Sequence, residues 1–305
     1  SQEKSTNWVS NNEVMIIEKD VISFYPRIIL NEELYPKRLG RPFLDVYSGL
    51  VKRRITAKKA GDKKTAESLK VSVNGTYGKL GSKWSVLYSP DLMLSVTLTG
   101  QLSLLLLIEM LEHHNIQVVS ANTDGLVSLV RKSQYTMYQA VCLDWELATG
   151  FVLEDTYYQA LYSRDVNNYL AIKPDGSYKG KGIFTLNSLR KNPQCEIVIE
   201  AVIAYLLNGS KLRQHFLGCN NITKFLAVRM VNGGAIWKGQ DVGKVVRWAY
   251  TLNGNTIHYK KNNNKVPKSD GSEPFQDLPD KLPAIDYDRY EAEAIAILKN
   301  LNITY

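Results

Sequence analysis

EKDVISFYPRIIL, residues 18–30, puts a carboxylate where the surrounding pattern asks for a hydrophobe. Val14 to Ile17 read as a buried strand, and Val21, Ile22, Phe24 and Tyr25 follow directly after Asp20. An isolated ionised carboxylate in an apolar setting is strongly disfavoured. Asp20 therefore either ends the strand in water or stands beside something cationic. Fold and function both turn on which.

The chain has 305 residues, 44% hydrophobic and 22% charged, as in an ordinary soluble protein, and length alone suggests two or three structural units. The longest apolar run, Leu104 to Ile108, is bracketed by Gln101 and Glu109 and predicts a buried helix and no membrane span. SQEKSTNW lacks the charged-then-apolar pattern of a secretory signal. Cys142, Cys195 and Cys219 are few and far apart with no metal-ligand spacing, so a reducing cytoplasmic setting is expected. A formal net charge of +8 favours a polyanionic partner.

That charge is concentrated. Leu50 to Lys70, LVKRRITAKKAGDKKTAESLK, predicts two short helical segments joined by a turn at Gly61 and Asp62. Arg54 and Lys58 share one face at i,i+4, as do Lys70 and Asn74. A lysine run alone usually marks a solvated face. Here KVSVNGTYGKLGS follows, with Gly75, Gly78 and Gly81 set among Asn74 and Tyr77. Such glycines either cap a helix or let a ligand approach the backbone. A long helix from about Asp91 to His114 comes next, and then IQVVSANTDGLVSLV, residues 116–130. This last stretch predicts a hairpin turning at Asn122–Gly125, with Asp124 at its tip.

Taken in order, DVISFYP (20–26), KVSVNGTYG (70–78) and SANTDG (120–125) resemble the three polymerase motifs of family B DNA polymerases. The family patterns are D-x-x-S-L/F-Y-P, K-x-x-x-N-S/G-x-Y-G and Y-x-D-T-D-S. The likeness is closest to the phage-type branch. It extends to NNYLAIKPDGSYKGKGIF (167–184), similar to the K-x-Y segment with its downstream Lys181-Gly182, and to LPDKLPAIDYDRYEAEAIAIL near the end.

The resemblance implies an α+β right-hand polymerase core. Residues 1–30 and 83–188 would form the palm, an antiparallel sheet backed by helices. Residues 31–82 would form short fingers, and 189–305 a mostly helical thumb and C-terminal segment. The polar, Pro- and Lys-rich composition of Tyr259 to Pro283 by itself predicts a long mobile loop. The implied activity is DNA-directed DNA synthesis with two Mg²⁺ ions, Mn²⁺ being able to substitute. Asp20 and Asp124 would be catalytic metal ligands, joined by the carbonyl of Val21. Ser23, Phe24, Tyr25, Arg54, Lys58, Lys70 and Asn74 would bind the incoming dNTP, with Tyr25 under the sugar and the cations on the β- and γ-phosphates. Gly75, Tyr77, Gly78, Thr123, Tyr169, Lys181 and Gly182 would contact the primer–template DNA.

Departures from the family pattern carry expectations of their own. Asn122 replaces the usual first aspartate of the third motif and would keep a neutral oxygen ligand; Ser120 replaces tyrosine, and Asn167 replaces the lysine of K-x-Y. With few residues before Asp20, no 3′–5′ exonuclease is expected in the chain. A separate chain carrying the N-terminal and exonuclease domains, or a homo-oligomer, is the expected partner, in a phage-infected bacterial cytoplasm. The alternative is a degenerate, non-catalytic DNA-binding subunit of a split replicative polymerase.

Overall fold

In the computed structural model, which describes residues 5–186, 192–279 and 281–305, a short strand β1 (Thr6–Val9) precedes β2 (Val14–Val21), the strand that carries Asp20. The chain is α+β, and its paired strands run antiparallel. Its contacts divide it into two units, Ser10–Tyr158 and Ser1–Val9 with Gln159–Tyr305. The expected palm segment 83–188 is thus shared between them, and the expected thumb start at 189 lies outside the described residues.

Within Ser10–Tyr158, β2 leads into α1 (Phe24–Asn31), and α2 (Pro42–Lys59) and α3 (Lys63–Leu80) form the basic helical pair. Asp62 caps α3 by accepting the Thr65 N–H at 3.0 Å, and Tyr47 Oη of α2 donates to the Val73 carbonyl of α3 at 2.9 Å. Then come α4 (Pro90–His113), β3 (Gln117–Ala121), β4 (Gly125–Arg131), α5 (Tyr135–Thr149) and β5 (Leu153–Tyr158). The strands make one sheet in the order β3-β4-β2-β5, with β2 inside it.

Alternation along β2 separates two chemistries. Ile17 and Val21 enter the core shared with Leu107, Leu111, Val141 and Trp145 of α4 and α5. Lys19 points the same way, and its ammonium meets Asp155 at 2.6 Å and Gln139 Oε1 at 3.0 Å. On the opposite face stand Ile16, Glu18 and Asp20, and the Glu18 carboxylate accepts the Tyr158 hydroxyl.

α4 departs from its expected burial. Its inner row, Val96, Gly100, Leu104, Leu107 and Leu111, is buried. At about 1.5–3 kcal/mol per fully buried large side chain, that row alone seats the helix. Leu94, Leu98, Leu102, Leu105 and Leu106 are exposed instead, because leucines stand on both sides of the helix and the sequence shows no single apolar stripe. Among the described residues α4 is the one helix long and apolar enough to cross a membrane.

The other unit joins β1 to β6 (Ala160–Asp165), β7 (Asn168–Ile172) and β8 (Tyr178–Gly180) in a sheet ordered β1-β6-β7-β8. It continues with α6 (Glu196–Asn208), α7 (Leu212–Leu217), α8 (Ile222–Phe225), β9 (Ala227–Trp237), β10 (Gln240–Asn255), β11 (Ile257–Tyr259), β12 (Ser272–Pro274) and α9 (Tyr287–Asn300). A mostly helical C-terminal part is not what forms: β9 and β10 are long strands in a sheet ordered β11-β9-β10-β12. Their turn is Lys238-Gly239, both at positive φ (49° and 80°), the geometry a two-residue hairpin requires. The stretch expected as a mobile loop is tied in by β12 and by the buried side chains of Val266, Ser269 and Ser272.

Candidate active site

Backbone pairing brings the two aspartates together. Asp20 is in register with Gly125 on one side and with Glu154 on the other. The Val21 N–H donates to the carbonyl of Asp124 at 2.7 Å, fixing the hairpin tip against the end of β2. A Cβ on Gly125 would lie 2.2 Å from Asp20 Oδ1 and 2.6 Å from the Lys19 carbonyl. The Asp20 carboxylate thus occupies room that glycine alone leaves.

Asn122 is not placed as an oxygen ligand. Its Oδ1 accepts the amide N–H groups of Asp124 at 3.0 Å and Gly125 at 2.9 Å, which uses both lone pairs to hold the tip. Aspartate at this position keeps both acceptors and alanine neither. We therefore expect Asn122→Asp to retain the native melting temperature within error. Asn122→Ala should lose about 1–3 kcal/mol, two hydrogen bonds' worth, in urea unfolding. Equal stability of the two variants would contradict this role.

Ser23 precedes α1 in the left-handed region, at φ 54°, a strained setting for a residue with a Cβ. Its hydroxyl accepts from Arg54 Nη1 at 3.1 Å, so the basic helix α2 is tied to the end of β2. Around this contact lie two cavities that share Val21, Ser23 and Arg54. One, of about 420 Å³, is lined by Asp124, Thr123, Tyr25, Tyr77, Lys70 and Asn74 among others. The second, of about 510 Å³, is lined by Asp20, Glu154, Lys58, Lys59 and Arg27 among others.

Tyr25 and Tyr77 form an aromatic wall, with ring centroids 4.2 Å apart, and the Tyr77 hydroxyl shares a 2.7 Å hydrogen bond with Thr97. Burial, then Tyr77 and Asp124, push the Tyr25 phenol above its usual value, so it stays protonated and neutral. Phe24 is buried and packs edge-on against Phe151 at 5.0 Å, so its role is chiefly in the core. Beside Gly75 and Gly78 on α3 an added Cβ would meet open space.

The cations are only lightly engaged. Lys58 lies 3.4 Å from Glu154 and Lys70 lies 3.7 Å from Glu67, all four side chains well exposed. Such pairs contribute about 0–1 kcal/mol, so an incoming anion could replace either carboxylate at little cost.

Three charged lining residues were not among the expected site residues: Glu154, Arg27 and Lys59, the last from the basic Leu50–Lys70 run. Glu154 stands beside Asp20 only through cross-strand register, which no local spacing reveals.

Tyr169, Lys181 and Gly182 belong to the other unit. The Lys181 N–H donates to the Tyr169 carbonyl at 2.9 Å. Gly182 has φ 61°, and a Cβ there would lie 2.2 Å from Asn168 Oδ1. The Asn168 amide donates to Asp165 and its oxygen accepts the Ile183 N–H at 3.0 Å. These bonds from Asn168, then Arg164 and the Asn167 backbone, hold the Asp165 carboxyl below its usual range.

Among the described residues, no group of three or more His, Cys, Asp and Glu side chains could hold a metal ion on protein donors alone. No family model matches the chain, and no curated protein is significantly similar to it.

Proposed function

We propose that this protein is a DNA-directed DNA polymerase with a family B right-hand core. The sheet β3-β4-β2-β5 with α4 and α5 would serve as palm, α2 and α3 as fingers, and the C-terminal part as thumb. One observation carries the reading. Two aspartates from distant motifs meet at a sheet end, in cavities lined by Arg54, Lys58 and Lys70 from the basic helical pair.

In nucleotidyl transfer the primer 3′ oxygen bonds to the α-phosphorus of a dNTP, and the bond to the departing pyrophosphate breaks. Asp20, Asp124 and the Val21 carbonyl suit Mg²⁺, which takes hard oxygen ligands and typically one or two protein carboxylates beside substrate phosphates. When bound, a pair of such ions would supply an activated 3′ oxygen and neutralise the leaving pyrophosphate. Arg54 and Lys70 bind the β- and γ-phosphates and favour charge building there. Tyr25, neutral and backed by Tyr77, offers a flat apolar surface for the deoxyribose.

The direct test is primer extension by the purified chain with Mg²⁺, a primed template and four dNTPs. Full-length product is expected. Binding of primer–template without extension, in Mg²⁺ and in Mn²⁺, would overturn the enzyme and leave the non-catalytic subunit.

The phosphate grip has its own signature. Arg54→Ala and Lys70→Ala should each lower the single-turnover rate about 10²–10³-fold, mainly through use of the dNTP. Loss confined to primer–template affinity would move these residues to the DNA instead.

A further inference from the structure

The outer side of the α4–α5 layer is an exposed row of leucines with an acidic surround. On α4, Leu94, Leu98, Leu102 and Leu105 are 46–63% exposed and lie opposite the buried row Val96–Leu111. The Trp145 indole donates to the Ser103 carbonyl at 2.8 Å, and the Gln134 amide donates to the His114 carbonyl at 3.4 Å. α5 therefore runs antiparallel alongside α4. It turns Leu143 and Leu147 outward, 53% and 75% exposed, opposite its buried Val141 and Trp145. Single surface leucines are unremarkable, but a row of this length on one layer marks an interaction surface.

Charge identifies the occupant. Although the chain carries +8, no Lys or Arg occurs from Trp84 to Val130 or from Ser133 to Ser163. The charged residues of α4 and α5 at neutral pH are Asp91, Glu109, Glu112, Asp144 and Glu146. DNA and anionic lipid are repelled by such a rim. A second copy joined across a two-fold axis would set the same acids against themselves. The inner row of α4 is buried in the core of its own unit, which leaves the outer leucine row for a partner.

We propose that this face docks an amphipathic helix of a different protein, with large apolar side chains at 3–4 spacing flanked by Lys or Arg. Leu94 to Leu105 extend about 16 Å along α4, a length suited to helix-on-helix packing. The flanking cations would pair with the acidic rim and set partner choice. The proposal does not depend on the polymerase reading, because its test measures binding alone.

Three labelled helical peptides of about 20 residues serve as probes. One has leucines at 3–4 spacing with Lys and Arg flanks, the second the same leucines with Glu flanks, the third the basic flanks with alanine for leucine. Fluorescence anisotropy with the full chain, at about 0.15 M salt, should show the first binding at least about tenfold tighter than either control. The double change Leu98→Asp with Leu105→Asp should remove that preference at unchanged melting temperature. Should the aspartates disturb folding, Leu98→Ser with Leu105→Ser should give the same loss. Equal binding of the three peptides, or an unaffected folded variant, would overturn the proposal. So would leucine-dependent dimerisation in sedimentation, or leucine-dependent flotation with neutral vesicles, since each names another occupant.

Discussion

Alanine at Asp20 or at Asp124 is expected to lower primer extension by at least about 10³-fold, while primer–template affinity changes little. In the proposed polymerase the two functions would rest on different residues: catalysis on paired carboxylates, DNA affinity on cations elsewhere in a chain of net charge +8. Asn122 is a poor substitute for a lost aspartate, being neutral with its oxygen spent on the hairpin tip. Asparagine at either position should fare nearly as badly as alanine, since the charge is what matters. The measurement is single-turnover extension alongside DNA anisotropy for each variant. Substantial activity in either alanine variant would remove the two-aspartate assignment.

Removing Asp155 should cost the fold heavily. The Lys19 side chain is 5% exposed, and Asp155 at 2.6 Å is its ion-pair partner. Without it, the ammonium keeps Gln139 and a contact 5.3 Å from the Tyr138 ring centroid. An uncompensated buried charge costs about 3–5 kcal/mol, so Asp155→Ala should lose that much in urea unfolding. Replacing both partners, Lys19→Met with Asp155→Leu, should recover most of the loss, because desolvating the pair offsets much of its attraction. A single variant as stable as the native chain would show that the pair is dispensable.

What could be read from the sequence was local. β2, α4 and the hairpin tipped by Asp124 stand where their patterns place them, and the basic helices turn at Gly61-Asp62 as expected but run longer, over Pro42–Lys59 and Lys63–Leu80, because periodicity and turn chemistry act over a few residues. The Lys238-Gly239 turn is equally local, but flanking glycines (Gly233, Gly234 and Gly243) dilute the alternation of β9 and β10. Glu154 and the Lys19–Asp155 pair depend on strand register across the sheet, which only the folded chain fixes. The tip role of Asn122 was hidden for another reason: a motif says which residue type is present, not which of its lone pairs are taken.

The chain's first strand has a consequence for the order of assembly during synthesis. β1 pairs with β6, matching Thr6 to Ser163, while Asn7 also donates to the Leu301 carbonyl at 2.5 Å. In chain order Ser10–Tyr158 is inserted between two segments of the other unit, yet its own sheet and helices close among themselves. On a ribosome it can fold as soon as it emerges, while β1 waits, unpaired, for a partner more than a hundred residues behind. The inner unit should gain protease resistance on stalled ribosomes before the outer one does. A free β1 edge in that interval is where misassembly between nascent chains would begin.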